Sequence, residues 1–458
     1  WTPSRAYSHY HGGVRILSET ASAKLATPIT VKWEDVRGGE GYDARVESAN
    51  FGPVWHGGEW HIGDITRYMT TAAFSLLNNA ADNRERWLSR SYQIGKEAVR
   101  PRPKGDVAGF VFDGTSRGGE QLLGVLRRAG VESEEIQGGR RFVRIDQPYG
   151  MFAKALIERQ KYPHLANEKG EPIAPYDVTA HTLSLLYGQE VETVYVPYIP
   201  KRPDGAWAND DAPCRPPRPN QNGLYKPQIP SMDEGWTRFI FERQRCFTFE
   251  SVDTRQIRQA IPRNINYLVF ADQSSNQLLN GYAPGTMPDE YVGGVGKEGV
   301  ENLKKFVEAG GTLVFLNRSS EFAIREFNLP VKDVTRGLAR KDFYIPGSIL
   351  RTELDTTHPI AKGMPQQSIA WFENSPAFEI QTDPLALSRN FRIIASYPKD
   401  PKQILLSGWA LGAEKIAGKA ALVEFTIGKG KIVLFGFRPQ YRGQSLATFP
   451  LLFNAISQ

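Results

Sequence analysis

Cysteine is nearly missing from this 458-residue sequence, which has Cys214 and Cys246 and no others. Two cysteines build neither a disulfide framework nor a zinc ribbon; they leave one bridge in an oxidising compartment, or two free thiols. Also lacking is any apolar run near the roughly 18–20 residues that cross a bilayer. No leader-like stretch opens the chain, although Trp1 stands where a nascent chain would carry methionine. That start predicts a processed, cleaved or longer molecule, whose trimmed end would have carried any secretion signal. Long blocks of one charge are absent too. The 56 basic and 50 acidic residues are interspersed, for a net charge of +6 and a pI near 9.1. Such a mixture reads as a solvated surface, not as a nucleic-acid footprint.

What is present suits a globular protein. Hydrophobic content is 40% and aromatic content 11%, and the length suggests two to four domains at roughly 150 residues each. Residues 1–100 open with a strand-like run, VRILSETAS (14–22). A long helix follows, from Asp64 as N-cap through KEAV at 96–99, with Tyr68, Ala72, Leu76, Ala80 and Trp87 at helical spacing. RPRPKG (100–105) breaks the pattern. Residues 101–205 read as a small α/β module. GDVAGFVFDG is a buried strand, GGEQLLGVLRRAGV an amphipathic helix stopped by Gly130, RRFVRIDQPYGMFAKALIERQ a second strand and helix, and PYDVTAHTLSLLYG a further helix. Residues 206–222 lie in a polar, proline-rich linker. From 223 to 458, strands such as NINYLVFADQS and GGTLVFLN alternate with helices such as MDEGWTRFIFERQ and GVENLKKFVEA. That alternation predicts a doubly wound, flavodoxin-like α/β domain with a mostly parallel sheet. A hairpin turning at Gly428-Lys429-Gly430 closes it.

Three patterns invite a chemical reading. WHGGEWH (55–61) places His56 and Glu59 in an H-x-x-E frame, with His61 two residues on. Two ligands this close, a distant histidine such as His164 or His181, and an open water position would make a catalytic zinc site. A Gly-rich loop leading into a capped helix explains the same residues without metal. In GGTLVFLNRSSEF (310–322) the strand-turn shape fits a nucleophile elbow, yet Asn317 and Arg318 hold the nucleophile's place. Ser319 or Ser320 with His358 as base is the substitute, and an inert scaffold is the simpler reading. His358 and Arg438 sit in loops after strands, where open α/β sheets bind ligands. Glu19, after an apolar run, suits either a general base or a surface acid.

Taken together, five stretches resemble large bacterial M14-type zinc carboxypeptidase-like proteins: SHYHGGVRILSETASAKLATPI, ITRYMTTAAFSLLNNAADNRERWLSRSYQIGKEAV, PYDVTAHTLSLL, SMDEGWTRFIFE and VLFGFRPQYRGQSLATFPLLFNAI. The resemblance follows their order and spacing along nearly the whole chain. It implies that residues 1–100 are the C-terminal part of an M14 peptidase domain and residues 223–458 a class I glutamine-amidotransferase-like domain. It also implies zinc, held by residues upstream of Trp1, and so argues against a metal at His56 and Glu59. Glu19 would be the general base, and His9 and Tyr10, with Tyr7 and His11, would border the pocket for a peptide substrate. A secreted or periplasmic location follows from the same likeness. So does a partner for residues 1–95: the missing half of the peptidase domain, present as a separate cleaved chain or in a longer one, or another subunit of a homo-oligomer. The alternative is a non-catalytic binding or assembly protein with degenerate peptidase and amidotransferase-like domains.

Overall fold

The computed structural model describes residues 3–20, 26–38, 43–49, 51–163, 165–167, 170–175, 177–200, 222–243, 247–381 and 390–457. Cys214, Cys246 and His164 lie outside them. The chain divides into two compact units, Ser4–Arg100 and Pro101–Gln458.

The first unit is built on helices. Pro3–Tyr10 is followed by the irregular stretch 13–20, so the strand expected at 14–22 is not formed over its described part. Without a pairing partner, a lone apolar run has no ladder to satisfy its backbone. Two three-residue strands, Ile29–Val31 and Gly58–Trp60, pair antiparallel. The expected long helix is two, Ile62–Asp82 and Arg84–Ala98, interrupted at Asn83. Its N-cap is His61, not Asp64: the Asp64 carboxylate sits three residues in and accepts the His61 amide at 2.9 Å, the return half of a capping box. Neither helix has a fully buried residue. Leu76, Ala80 and Trp87 of the predicted stripe are half-buried, whereas Tyr68 and Ala72 are exposed.

The second unit holds two sheets. Strands Val107–Asp113, Glu134–Ile136, Arg140–Arg144 and Val191–Tyr195 form a four-stranded sheet. All of its pairings are antiparallel. Helix Arg117–Arg128 carries five buried residues on one face, and Ser116 caps it by accepting the Gly119 amide. The helix expected within PYDVTAHTLSLLYG is a single turn, Leu183–Leu186. The residues before it serve another purpose. Thr179 Oγ1 lies 2.8 Å from Ser348 Oγ, Thr182 Oγ1 lies 2.9 Å from Ser407 Oγ, and the Gly408 amide donates to the Gln160 carbonyl. These buried hydroxyls dock residues 101–200 onto the larger sheet, so both belong to one compact unit.

Among the described residues that larger sheet has twelve strands. Five run parallel, in the spatial order Glu250–Asp253, Asn222–Lys226, Tyr267–Phe270, Thr312–Leu316, Gly430–Phe435. Numbered along the chain, this is the order 2-1-3-4-5, the flavodoxin-like arrangement. Alternate residues feed two separate cores. Val269, Val314 and Val433 pack on one face, and Leu268, Phe270, Leu313, Phe315, Ile432 and Leu434 on the other. Burial on both faces is what continuous apolar strands require. The predicted hairpin forms, with Ile427 opposite Gly430 and Gly428 at φ 57°. Beyond it the sheet continues antiparallel through Ala420–Ile427, Phe391–Ser396, Ser348–Leu354 and Gln367–Phe372.

Candidate functional site

Parallel strands of one sheet deliver their following loops to one edge, and ligands of open α/β sheets bind there. Strand Thr312–Leu316 is wholly buried and ends in Asn317, which takes φ 56° inside a one-turn 3-10 helix before helix Ser320–Glu326. Strand, left-handed residue, helix: this is the backbone of a nucleophile elbow. Asparagine tolerates the left-handed conformation better than other chiral residues, but its amide is no nucleophile. Asn317 Nδ2 donates to Asp272 Oδ1 at 2.8 Å. The two serines are equally committed. Ser319 Oγ donates to the carbonyls of Phe270 and Leu316, and Ser320 Oγ to that of Phe435. His358 does not serve them. Its Nε2 lies 3.5 Å from Glu424 Oε1, and its Nδ1 accepts the Ile360 amide. Burial lowers its pKa against the pull of Glu424.

At the same edge stands an ion cluster. Asp272 follows strand Tyr267–Phe270 and accepts from the Arg318 amide and Nε, both at 3.0 Å, from Arg318 Nη2 at 2.7 Å, and from Arg438 Nη2 at 3.0 Å. Arg438, after strand Gly430–Phe435, also places Nε 3.2 Å from Asp233 Oδ1 and donates through Nη1 to the Glu373 carbonyl at 2.6 Å. Gln440 Nε2 donates to Asp233 Oδ1 at 3.3 Å. The two acids respond oppositely. Burial opposes ionisation of Asp272, yet Arg318's hydrogen bonds and the charges of Arg438 and Arg318 outweigh it and hold the carboxyl below its ordinary value. Asp233 is raised, because burial and the neighbouring Asp272 charge exceed what Arg438 returns. Among the described residues, the buried side-chain amide oxygens of Asn317 and Gln440 receive no donor. Arg318 keeps its side chain 46% exposed. The cluster can thus hold a fixed pattern of charge and take up a proton at Asp233, but it presents no nucleophile.

His9, Tyr10, Glu19, His56, Glu59 and His61 fall in the first unit. His9 is exposed and Tyr10 half-buried on helix Pro3–Tyr10. Glu19 is exposed on the irregular stretch, and no hydrogen bond or ion pair ties it to another described residue. His56 is exposed, with its ring 5.0 Å from that of Trp33, while Glu59 lies on strand Gly58–Trp60 and His61 caps a helix. Among the described residues no group of three or more His, Cys, Asp or Glu is placed to hold a metal ion. His181 is in the other unit, largely buried, with a pKa brought down to about 4 by that burial. Arg438 was visible from sequence as a loop residue after a strand. Asp272 and Asp233 were not singled out, although an acid directly after the apolar run YLVFA is the same signal.

No family model matches the chain, and no curated protein matches it. Solved structures do. A cytoplasmic protein from Salmonella typhimurium is 13% identical, with a TM-score of 0.32, covering 51% of this chain and 97% of that one. A ThuA-like protein from Bacteroides uniformis is 13% identical, with a TM-score of 0.32, covering 55% and 96%. An exo-β-1,4-mannosidase from an Opitutaceae bacterium is 9% identical, with a TM-score of 0.30, covering 52% and 36%. Likeness at this level adds nothing to what the strand order establishes.

Proposed function

We propose that this chain is the C-terminal portion of a secreted or periplasmic M14-like zinc metallocarboxypeptidase, whose amidotransferase-like domain, residues 223–458, is not catalytic. One observation carries the reading beyond the sequence resemblance. Helices Ile62–Asp82 and Arg84–Ala98 have no fully buried residue and expose Phe74, Leu77, Leu88 and Tyr92. An apolar helix face of this kind suits a surface that more polypeptide covers; in this reading that polypeptide is the rest of the peptidase domain. In this reading the zinc ligands are residues upstream of Trp1; among the described residues no group of three or more His, Cys, Asp or Glu is placed to hold a metal ion. Glu19 acts as general base, taking a proton from the attacking water and returning it to the leaving amine. His9 and Tyr10 border the peptide.

The test is release of C-terminal residues from a peptide by the native protein, with its metal content measured. Glu19→Gln should lower turnover by about 10²–10⁴-fold while zinc stays bound. Full activity in that variant would remove Glu19 from the mechanism. A second reading, a non-catalytic binding or assembly protein, is favoured by the elbow, where Asn317 is tied to Asp272. Absence of both zinc and peptidase activity from the native protein would select it.

A further inference from the structure

A cleft of about 1450 Å³ lies within the unit Pro101–Gln458, between the small sheet and the large one. Two strand edges line it. Val191–Tyr195 ends the four-stranded sheet and contributes Val191, Glu192, Thr193 and Tyr195; Gln367–Phe372 ends the twelve-stranded sheet and contributes Gln367, Ser368 and Ile369. Each pairs with one neighbour among the described strands. An unpaired edge presents a row of N–H and C=O groups to any chain that can lie beside it.

Register shows which groups face the cleft side. In an antiparallel strand, alternate residues turn both backbone groups the same way. Opposite Ile369 stands Arg351, whose amide donates away from it, to the Ile404 carbonyl at 2.7 Å. The Trp371 carbonyl accepts the Arg438 amide, also away from strand Ser348–Leu354. Gln367 and Ile369 therefore share the outward side. On the other edge, Val196 exchanges bonds with Gly105 and Asp106, which leaves Thr193 and Tyr195 with the outward parity.

Charge selects the occupant. Arg140 is paired with Glu192, and Lys154 with Glu158. Asp113 accepts from the Thr115 amide and hydroxyl, which hold it in its charged form. Arg159 and Lys161 line the cleft with no ion pair to a described residue, and Arg351 donates to the Gln403 carbonyl and the Gln367 side chain. Asp113 and Glu190 are the acids of the lining with no cation partner among the described residues, two against these three cations. We propose that the cleft binds an extended, acidic peptide segment of another protein, laid along these edges as an added β-strand. The proposal concerns residues 101–458 and does not rest on the peptidase reading.

The experiment uses the whole chain and a labelled synthetic peptide of about ten residues, the length of a long strand, alternating threonine or valine with glutamate. Binding is read by fluorescence anisotropy and amide hydrogen exchange. The acidic peptide should bind, protecting amides within 191–195 and 367–369. N-methylation of alternate peptide amides, the double change Arg159→Glu with Lys161→Glu, and replacement of the peptide's glutamates by lysine should each weaken binding by about tenfold or more. Circular dichroism of the double variant checks that it folds. No binding, equal binding of the N-methylated peptide, or protection confined to other segments would overturn the proposal. So would self-association through these edges in ultracentrifugation.

Discussion

The two units of this chain use apolar residues in opposite ways. In Pro101–Gln458, strand Thr312–Leu316 is buried at every position, and its alternate side chains enter two cores. In Ser4–Arg100, Ala44 is the single fully buried apolar residue among those described, while Phe74 and Leu77 are each 61% exposed and Leu88 is 70% exposed. Secondary structure is well formed in both. Helical periodicity and capping suffice to shape a helix, whereas a core needs a second surface on which the stripe can close.

The strongest way to break this contrast is substitution at matched positions. Phe315→Ala should cost about 3–5 kcal/mol, the range for a large aromatic removed from a packed interior. Leu77→Ala and Leu88→Ala should stay within about 0.5 kcal/mol in this chain. Denaturant unfolding of each variant measures both. If the leucine variants cost about 2 kcal/mol or more in the native protein, that face is covered there, which sharpens the peptidase reading.

A comparable loss is expected at the ion cluster. Asp272→Asn leaves Arg318 and Arg438 without their shared carboxylate, and breaking a buried pair in this way costs about 3–5 kcal/mol. Asp233→Asn should cost less, because burial already disfavours its charge. The two acids also predict opposite pH trends. The folded pKa of Asp272 lies below the unfolded one, so its stabilisation is present above the ordinary carboxylate range and fades as pH falls through the depressed value. Asp233 is raised, so its contribution turns unfavourable as pH climbs from the ordinary value through the raised one. Urea midpoints across acid pH should therefore flatten in Asp272→Asn and steepen in Asp233→Asn.

Smaller still are the caps. Ser116→Ala removes the acceptor of the Gly119 amide and should cost about 1 kcal/mol. Asp64→Ala removes the acceptor of the His61 amide, with a similar intrinsic cost. In the unit with so little burial, that loss should appear as fraying of helix Ile62–Asp82, seen as faster amide exchange, with little change in the main unfolding transition.

Much of the larger domain was legible because its signals are local. Helix Gly296–Glu308, the glycine pair at 310–311 and strand Thr312–Leu316 follow from periodicity and a helix stop. The Gly428 turn follows from the conformations that glycine alone enters easily. Legibility failed where the partner was distant. Residues 14–20 have the composition of a strand but no neighbour to pair with, and Thr179 and Thr182 abandon a helix to bond with Ser348 and Ser407, more than 160 residues away. The candidate site divides the same way. Asn317 at the elbow was readable from the strand-turn-helix pattern; the convergence of Asp233, Asp272, Arg318 and Arg438 was not, since each follows a different strand.

By itself, the sequence determined most element types of residues 223–458, the glycine stop at 310–311, the turn at Gly428, and the lack of a nucleophile after strand Thr312–Leu316, because propensity, periodicity and residue chemistry act over a few neighbouring positions. Tertiary structure alone decided the 2-1-3-4-5 strand order, the docking of the small sheet, the meeting of two arginines on one buried aspartate, and the opening of two sheet edges into one cleft. Those outcomes depend on which distant segments share a surface, and that is settled by burial over the whole chain.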